Sequence, residues 1–279
     1  MPGYFKKAPL VYVTAQFSCS RFPELNSSEQ ESLHKAMVNI GLPDRQTSEV
    51  SQVALNVSQA SFQTEHSRIL RQGFFSADKH RCFVITPASI EYRVSDYFKF
   101  GEFCRQLSGV LEALFQAVPA YKKSALKETI LNYSDTIVPK QGRKLSDYFK
   151  EASILPLSFL SEYEGDLQQA GQTQATRIVK PDLRIAVSLE QLPVQNQQIQ
   201  RWLPQQMVEP DQVLSMPLKI HPEFAQPNSR FYGILLTQGG KLINKTFTET
   251  SISNALNEIH EEIKHTFNGL LNHDVCNLD

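Results

Sequence analysis

The 279 residues carry 28 lysines and arginines against 29 aspartates and glutamates, a net charge of -1, and 41% of the side chains are hydrophobic. That composition describes a folded chain with a sizeable core and excludes a disordered one. The charge balance removes the global positive field of a nucleic-acid binder, and no apolar run reaches the roughly 18 residues that a bilayer-crossing helix needs.

Two lysines precede the first apolar stretch, APLVYVTAQFS, but Thr14 and Gln16 interrupt it. Alternation of Val11, Val13, Ala15 and Phe17 with polar neighbours predicts a half-buried strand rather than a signal peptide. SSEQESLHKAMVNIGLP predicts a helix. Ser28 and Glu31 read as its capping box, Leu33, Met37 and Ile40 as its inner face, and Gly41 with Pro43 as its stop. Strands follow at SEVSQVALNV, ASFQTEHSRILRQGFF, RCFVIT and SIEYRV, an antiparallel meander. A long helix then carries Phe100, Phe103, Leu107, Val110, Leu111, Leu114, Phe115 and Val118 on one broad stripe closed by Pro119. LKETILNYSDTIV reads as a further strand and KLSDYFKEA as a short helix.

Beyond residue 150, ILPLSFL reads as a connector, and SEYEGDLQQA, TQATRIVKP and DLRIAVSLEQL as strands. The tract from Val194 to Gln212 is rich in glutamine and proline and has no period, which predicts a long surface excursion. Its Trp202 reads as either an exposed binding anchor or, the favoured reading, a packing anchor that pins the excursion to the body. Trp202, Arg201 and Gln198 are the candidate partner-binding residues. SMPLKI and FYGILLT are predicted strands, with QGGK as a hairpin turn into LINKTF. The last helix starts near Thr250 and stacks Ile252, Leu256, Ile259, Ile263, Phe267, Leu270 and Leu271. The expected fold is α+β: antiparallel sheets with helices on one face, in two sequential halves, 1–150 and 151–279.

Motifs that would carry chemistry fail on spacing. In HEEIKH, His260 and His265 are five residues apart, about 140° beyond one helical turn, so their rings diverge where a zinc helix needs them together. They read as solvent-side or flank positions. QGGK lacks the upstream glycine and the following hydroxyl of a phosphate loop, Leu235 and Leu242 standing there instead. Cys19, Cys82, Cys104 and Cys276 are scattered, as free thiols in a reducing cytoplasm would be. No catalytic residue, cofactor or metal ligand is expected.

The order of segments resembles a sporadically distributed bacterial family of uncharacterised proteins. Ala8 to Val13 is similar to its APLVEV-like opening strand, and GFFSADKHRCFVITPASIEYRVSDYFKFGEF to its hairpin before an aromatic-led helix. Leu131 to Asp135 is similar to its LRYIN-like strand, and Ile259 to Phe267 to its LHxxIxxxF-like closing helix. Asn132 stands where that family tends to have arginine, and Thr237 and Gly239 lie nearest its DxD-like pair. The resemblance implies a two-part α+β protein linked to genome-defence or toxin-related loci. With no catalytic constellation in view, the expected role is a non-catalytic cytoplasmic component of a defence, toxin–antitoxin or immunity system that binds another protein encoded nearby. The alternatives are an enzyme, nuclease-like or another hydrolase, with a dispersed site, or a binder of a small apolar ligand.

Overall fold

A computed structural model describes residues 10–57, 62–150, 171–225 and 227–278. One antiparallel sheet organises them, in the order β2-β3-β4-β5-β1-β6-β9-β8-β7. Its strands are β1 (Leu10–Cys19), β2 (Asp44–Val57), β3 (Phe62–Phe75), β4 (Arg81–Ile85), β5 (Ser89–Val94), β6 (Ala125–Ile137), β7 (Gly171–Lys180), β8 (Leu183–Pro193) and β9 (Phe231–Thr246). The helices are α1 (Ser27–Asn39), α2 (Phe100–Ala117), α3 (Glu249–Leu270) and α4 (His273–Leu278). The fold is α+β with its long helices on one face. Strand β6 pairs with β1 on one side and β9 on the other, so a single sheet runs through both halves of the chain.

The alternation read from the sequence decides which residues face the helices. Val13, Ala15 and Phe17 of β1, with Leu131 and Tyr133 of β6, join Leu33, Met37, Leu107, Leu111, Ile259 and Ile263 in the main core. Successive residues point to opposite faces, so Tyr12, Thr14 and Gln16 are committed to the other side. A second cluster lies beyond it, where Ile137, Leu189 and Leu235 pack on Leu145, Tyr148, Phe149 and Leu271, with Phe267 half-buried at its rim.

Several local expectations are corrected. The capping box of α1 is Asn26 with Glu29, not Ser28 with Glu31: Asn26 Oδ1 accepts from the Glu29 amide at 3.0 Å and Glu29 Oε2 accepts from the Asn26 amide at 3.0 Å. Gly41 does end that helix, at φ +83°. KLSDYFKEA gives only a 3₁₀ turn over Leu145–Tyr148, and SMPLKI forms no strand. ILPLSFL and SEYEGDLQQA lie outside the described residues.

The largest correction is at QGGK. It is no hairpin turn: β9 runs straight through it, with Gly239 opposite Leu131 and Gly240 opposite Ile130. The glycines are needed for room. A Cβ on Gly239 would sit 2.2 Å from Ile259 Cγ2, so α3 rests directly on the strand backbone there. Gly239→Ala should therefore destabilise the fold by about 1–3 kcal/mol through overpacking. In an Ile259→Ala background the same change should be nearly neutral, and denaturant melts of the four-member cycle measure the difference.

Candidate functional site

The second face of the sheet is covered by a strap, residues 194–225, that forms no long element. Its backbone needs anchors, and the side chains provide three. Trp202 packs beside Val138, Tyr232 and Ile234, and its carbonyl accepts from Thr136 Oγ1 at 2.7 Å. Leu214 is fully buried against Phe75, Cys82 and Val84. It fits because β3 has Gly73 there, where a Cβ would lie 2.7 Å from Leu214 Cδ2. Between these apolar anchors Glu209 points inward. Arg71 donates to both its oxygens at 2.6 and 2.7 Å, and Arg93 Nη1 donates to Oε2 at 2.7 Å. Arg93 Nη2 donates in turn to Glu91 at 2.7 Å.

The strap does not lie flat. Between Gln206–Pro210 and the sheet is an open cavity of about 650 Å³. Residues of β3, β5, β1, β6, β9 and β7 all line it, so the sheet curls around this space. Its floor follows from register: Arg93, Thr14, Asn132 and Gln238 are successive cross-strand partners on one face. Gln238 Nε2 donates to Asn132 Oδ1 at 2.8 Å, and Asn132 Nδ2 donates to Thr14 Oγ1 at 2.9 Å. Gln16 and Gln174 line the same space, and their amides meet no hydrogen-bond partner among the described residues.

The charges at the cavity wall are matched. Burial alone would raise the Glu209 carboxyl, but the hydrogen bond from Arg71 and the charge of Arg93 outweigh it and hold the group at about 2. Tyr12, the one aromatic lining residue, is buried, which pushes its hydroxyl above the usual range, and that hydroxyl donates to Met216 Sδ at 3.7 Å. Among the described residues no cysteine, histidine or lysine lines the space. The thiols lie elsewhere, with burial pushing Cys19 and Cys82 to about 12 and Cys104 to about 11. Among the described residues no group of three potential metal ligands comes together.

The sequence candidates occupy the strap but not the cavity lining. Trp202 is the packing anchor expected of it. The Arg201 guanidinium pairs with Glu190. Gln198 is exposed and closes a two-residue turn on Gln195, with Asn196 and Gln197 at φ +51° and +58°. The cavity residues Thr14, Gln16, Asn132 and Gln238 were missed. Their signal was the polar half of each alternating strand, which reads as solvent-facing until a long loop is known to cover it. Asn132, noted only as a departure from the resembled family, sits at the centre of the floor.

On the helix side lies a second group of buried polar side chains. His260 takes the flank position of its helix, half-buried at the edge of the apolar stripe. Its ring stacks on Phe100 with centroids 3.8 Å apart, and its Nδ1 is 2.9 Å from the Tyr133 hydroxyl. Burial holds its pKa at about 4. His265 is exposed. Further along the same face of β6, Asp135 is 3% exposed and meets no hydrogen-bond partner among the described residues. Burial pushes its pKa to about 7.

No family model, curated protein or solved structure matches the chain.

Two outcomes follow from these charges. Glu209→Gln leaves two nearly buried guanidinium groups short of an anion and should cost about 3–5 kcal/mol at pH 7. The wild-type carboxyl titrates at about 2 against an ordinary 4.5, so the advantage is present above the unfolded value and fades as pH falls through the folded one. Urea melts of both proteins at pH 7 and pH 3 measure it. Asp135 has the opposite sign. Its folded pKa lies above the unfolded one, so its protonated form favours folding and stability drops as pH rises from about 4 towards about 7. Asp135→Asn should remove that drop, gaining on the order of 4 kcal/mol over wild type at pH 8 and little at pH 4. The His260 contribution is common to both proteins and cancels in the comparison.

Proposed function

We propose that this chain is a non-catalytic binding protein whose partner engages the strap and the cavity beneath it. The observation that carries the reading is the composition of that cavity. Its polar lining is amide and hydroxyl, set beside apolar Val50, Ile69, Met207 and Val208, and its four charged groups are already matched to one another. General acid–base or nucleophilic chemistry needs a group whose proton affinity lies near the working pH, or a nucleophile beside a base. Glu209 at about 2 and a buried Tyr12 hydroxyl serve neither purpose. An apolar ligand would strip water from amides that it cannot replace. A polar partner replaces that water with its own hydrogen bonds.

The partner proposed is another protein, and the setting suggested by the resemblance is a bacterial defence, toxin–antitoxin or immunity system. The exposed strap turn bearing Gln198 lies on the covered side of the sheet and is offered as the outer part of the same contact. Arg201 and Trp202 fix that turn in place. The turn itself is separable, because its two left-handed residues gain nothing from a side chain at those angles. Replacing Gln195–Gln200 by a Gly/Ser linker of equal length should shift the melting temperature by no more than a few degrees. Trp202→Ala should lower stability by about 3 kcal/mol, since a large ring leaves its packing. Affinity purification from the native host with quantitative mass spectrometry tests the function. A stoichiometric protein partner is expected with wild type, with clearly less retained by the linker variant. Absence of any stoichiometric partner, or turnover of a substrate by the purified chain, would overturn it.

A further inference from the structure

We infer that the occupant of the cavity is an uncharged stretch of polypeptide from the partner, extended over β1, β6 and β9 and read through its backbone amides. This rests on the binding role proposed above.

Charge comes first. Arg71 and Arg93 face Glu91 and Glu209, two cations against two anions, all in contact. A charged occupant would give up its hydration and find no counter-ion to replace it. That removes phosphates, carboxylates and ammonium groups from the central position.

Hydrogen-bond direction comes next. Gln238 donates to Asn132 and Asn132 donates to Thr14, so the row is polarised. At one end Thr14, itself 2% exposed, accepts, and Gln16 on the same face of β1 presents its amide to the cavity. At the other end Gln238 Oε1 remains to accept. These ends lie two strand spacings apart, about 10 Å, which an extended chain of three residues covers. Gln16 and Gln174 add amide groups with no partner among the described residues. An amide side chain pairs a donor with an acceptor, as each peptide unit does. An extended peptide offers such units at every residue, whereas an isolated polar molecule must match all the amides at once.

The remaining neutral ligands fit less well. A nucleobase is usually held by an aromatic or guanidinium face. Here Tyr12 is 6% exposed and both arginines are engaged with carboxylates. The volume, about 650 Å³ and open to solvent, has room for a short stretch of chain.

The test is selection from a phage-displayed random peptide library on the full chain, followed by titration of N-acetylated, C-amidated synthetic copies of the selected peptides. We expect a consensus without Asp, Glu, Lys or Arg at its centre. Affinity should change by less than about threefold between roughly 50 and 500 mM salt, since no new ion pair forms. Gln16→Leu and Gln238→Leu should each weaken binding by about tenfold, the loss of one hydrogen bond to the peptide. Gln16 makes no contact that folding needs, so Gln16→Leu decides the matter if Gln238→Leu does not fold. A consensus with a fixed charge, steep salt dependence, or undiminished binding by folded Gln16→Leu would overturn the inference. So would failure to select any peptide while the native partner is still captured, and in each of these cases the binding role stands. Binding of nucleosides or monosaccharides, with neither peptide nor partner, would sink both.

Discussion

Glu209 joins Arg71 of β3 to Arg93 of β5, strands that share no ladder because β4 lies between them. One carboxylate on an otherwise irregular segment thus holds two rungs of the sheet and the strap in a fixed relation. The strap needs such a tie because it buries little apolar surface between Trp202 and Leu214. Without an inward anion the guanidinium groups would turn towards water, and Gln206–Pro210 would be held only at its flanks, by Trp202 and by Asp211 with Leu214. The cavity exists because the tie is a long side chain: it keeps the strap near the sheet without bringing the backbone into contact with it. Arg93 Nε, buried and without a partner among the described residues, shows how tightly this node is enclosed.

The same sheet solves its two faces in different ways. Towards the helices it uses shape. Gly239 lets Ile259 press on the strand backbone, and the stripe of α3 continues through Ile263 into the core. Towards the strap it uses register. Thr14, Asn132 and Gln238 align because β1, β6 and β9 pair without a slip over that region, and a one-residue slip in any of them would send its polar residue into the apolar core. The packing of the helix face is therefore what holds the polar row in line. A mutation that loosens α3 on β9 acts on the cavity through the pairing of β6 with β9, although α3 touches none of the lining.

Periodicity made the strands and long helices legible, because alternation and the 3.6-residue stripe each report which side of an element is dry. What periodicity cannot report is which of two polar surfaces is later covered. Thr14, Gln16, Asn132 and Gln238 have the same sequence pattern as a solvated strand face, so the candidate site was hidden in residues that looked least informative. The Gly239–Gly240 pair misled for a related reason. Glycine marks either a turn or a close approach, and the two differ only in what lies opposite, here Ile259, on a helix further along the chain. His260 was placed at the edge of the stripe, but its stacking on Phe100 of α2 was not legible, since no spacing within α3 contains that ring. Trp202 was read correctly, since a large ring inside a polar segment has few places to go except the body of the protein.

The two buried titratable centres on opposite faces divide the molecule's response to pH. Glu209 is ionised throughout the neutral range, and its tie weakens only in strong acid. Asp135 changes charge near neutrality, beneath the helices, where its side chain shares the face of β6 that carries Tyr133. On the strap face of the same strand sits Asn132, one residue from Tyr133 and three from Asp135. A charge appearing at Asp135 must be hydrated or neutralised, and the packing of α3 on β6 and β9 is what resists the entry of water. The floor of the cavity therefore rests on a strand whose far side is least settled above about pH 7, once Asp135 is ionised. Asparagine at position 132 suits that placement, for it keeps its hydrogen bonds to Thr14 and Gln238 through the whole range in which its strand changes charge.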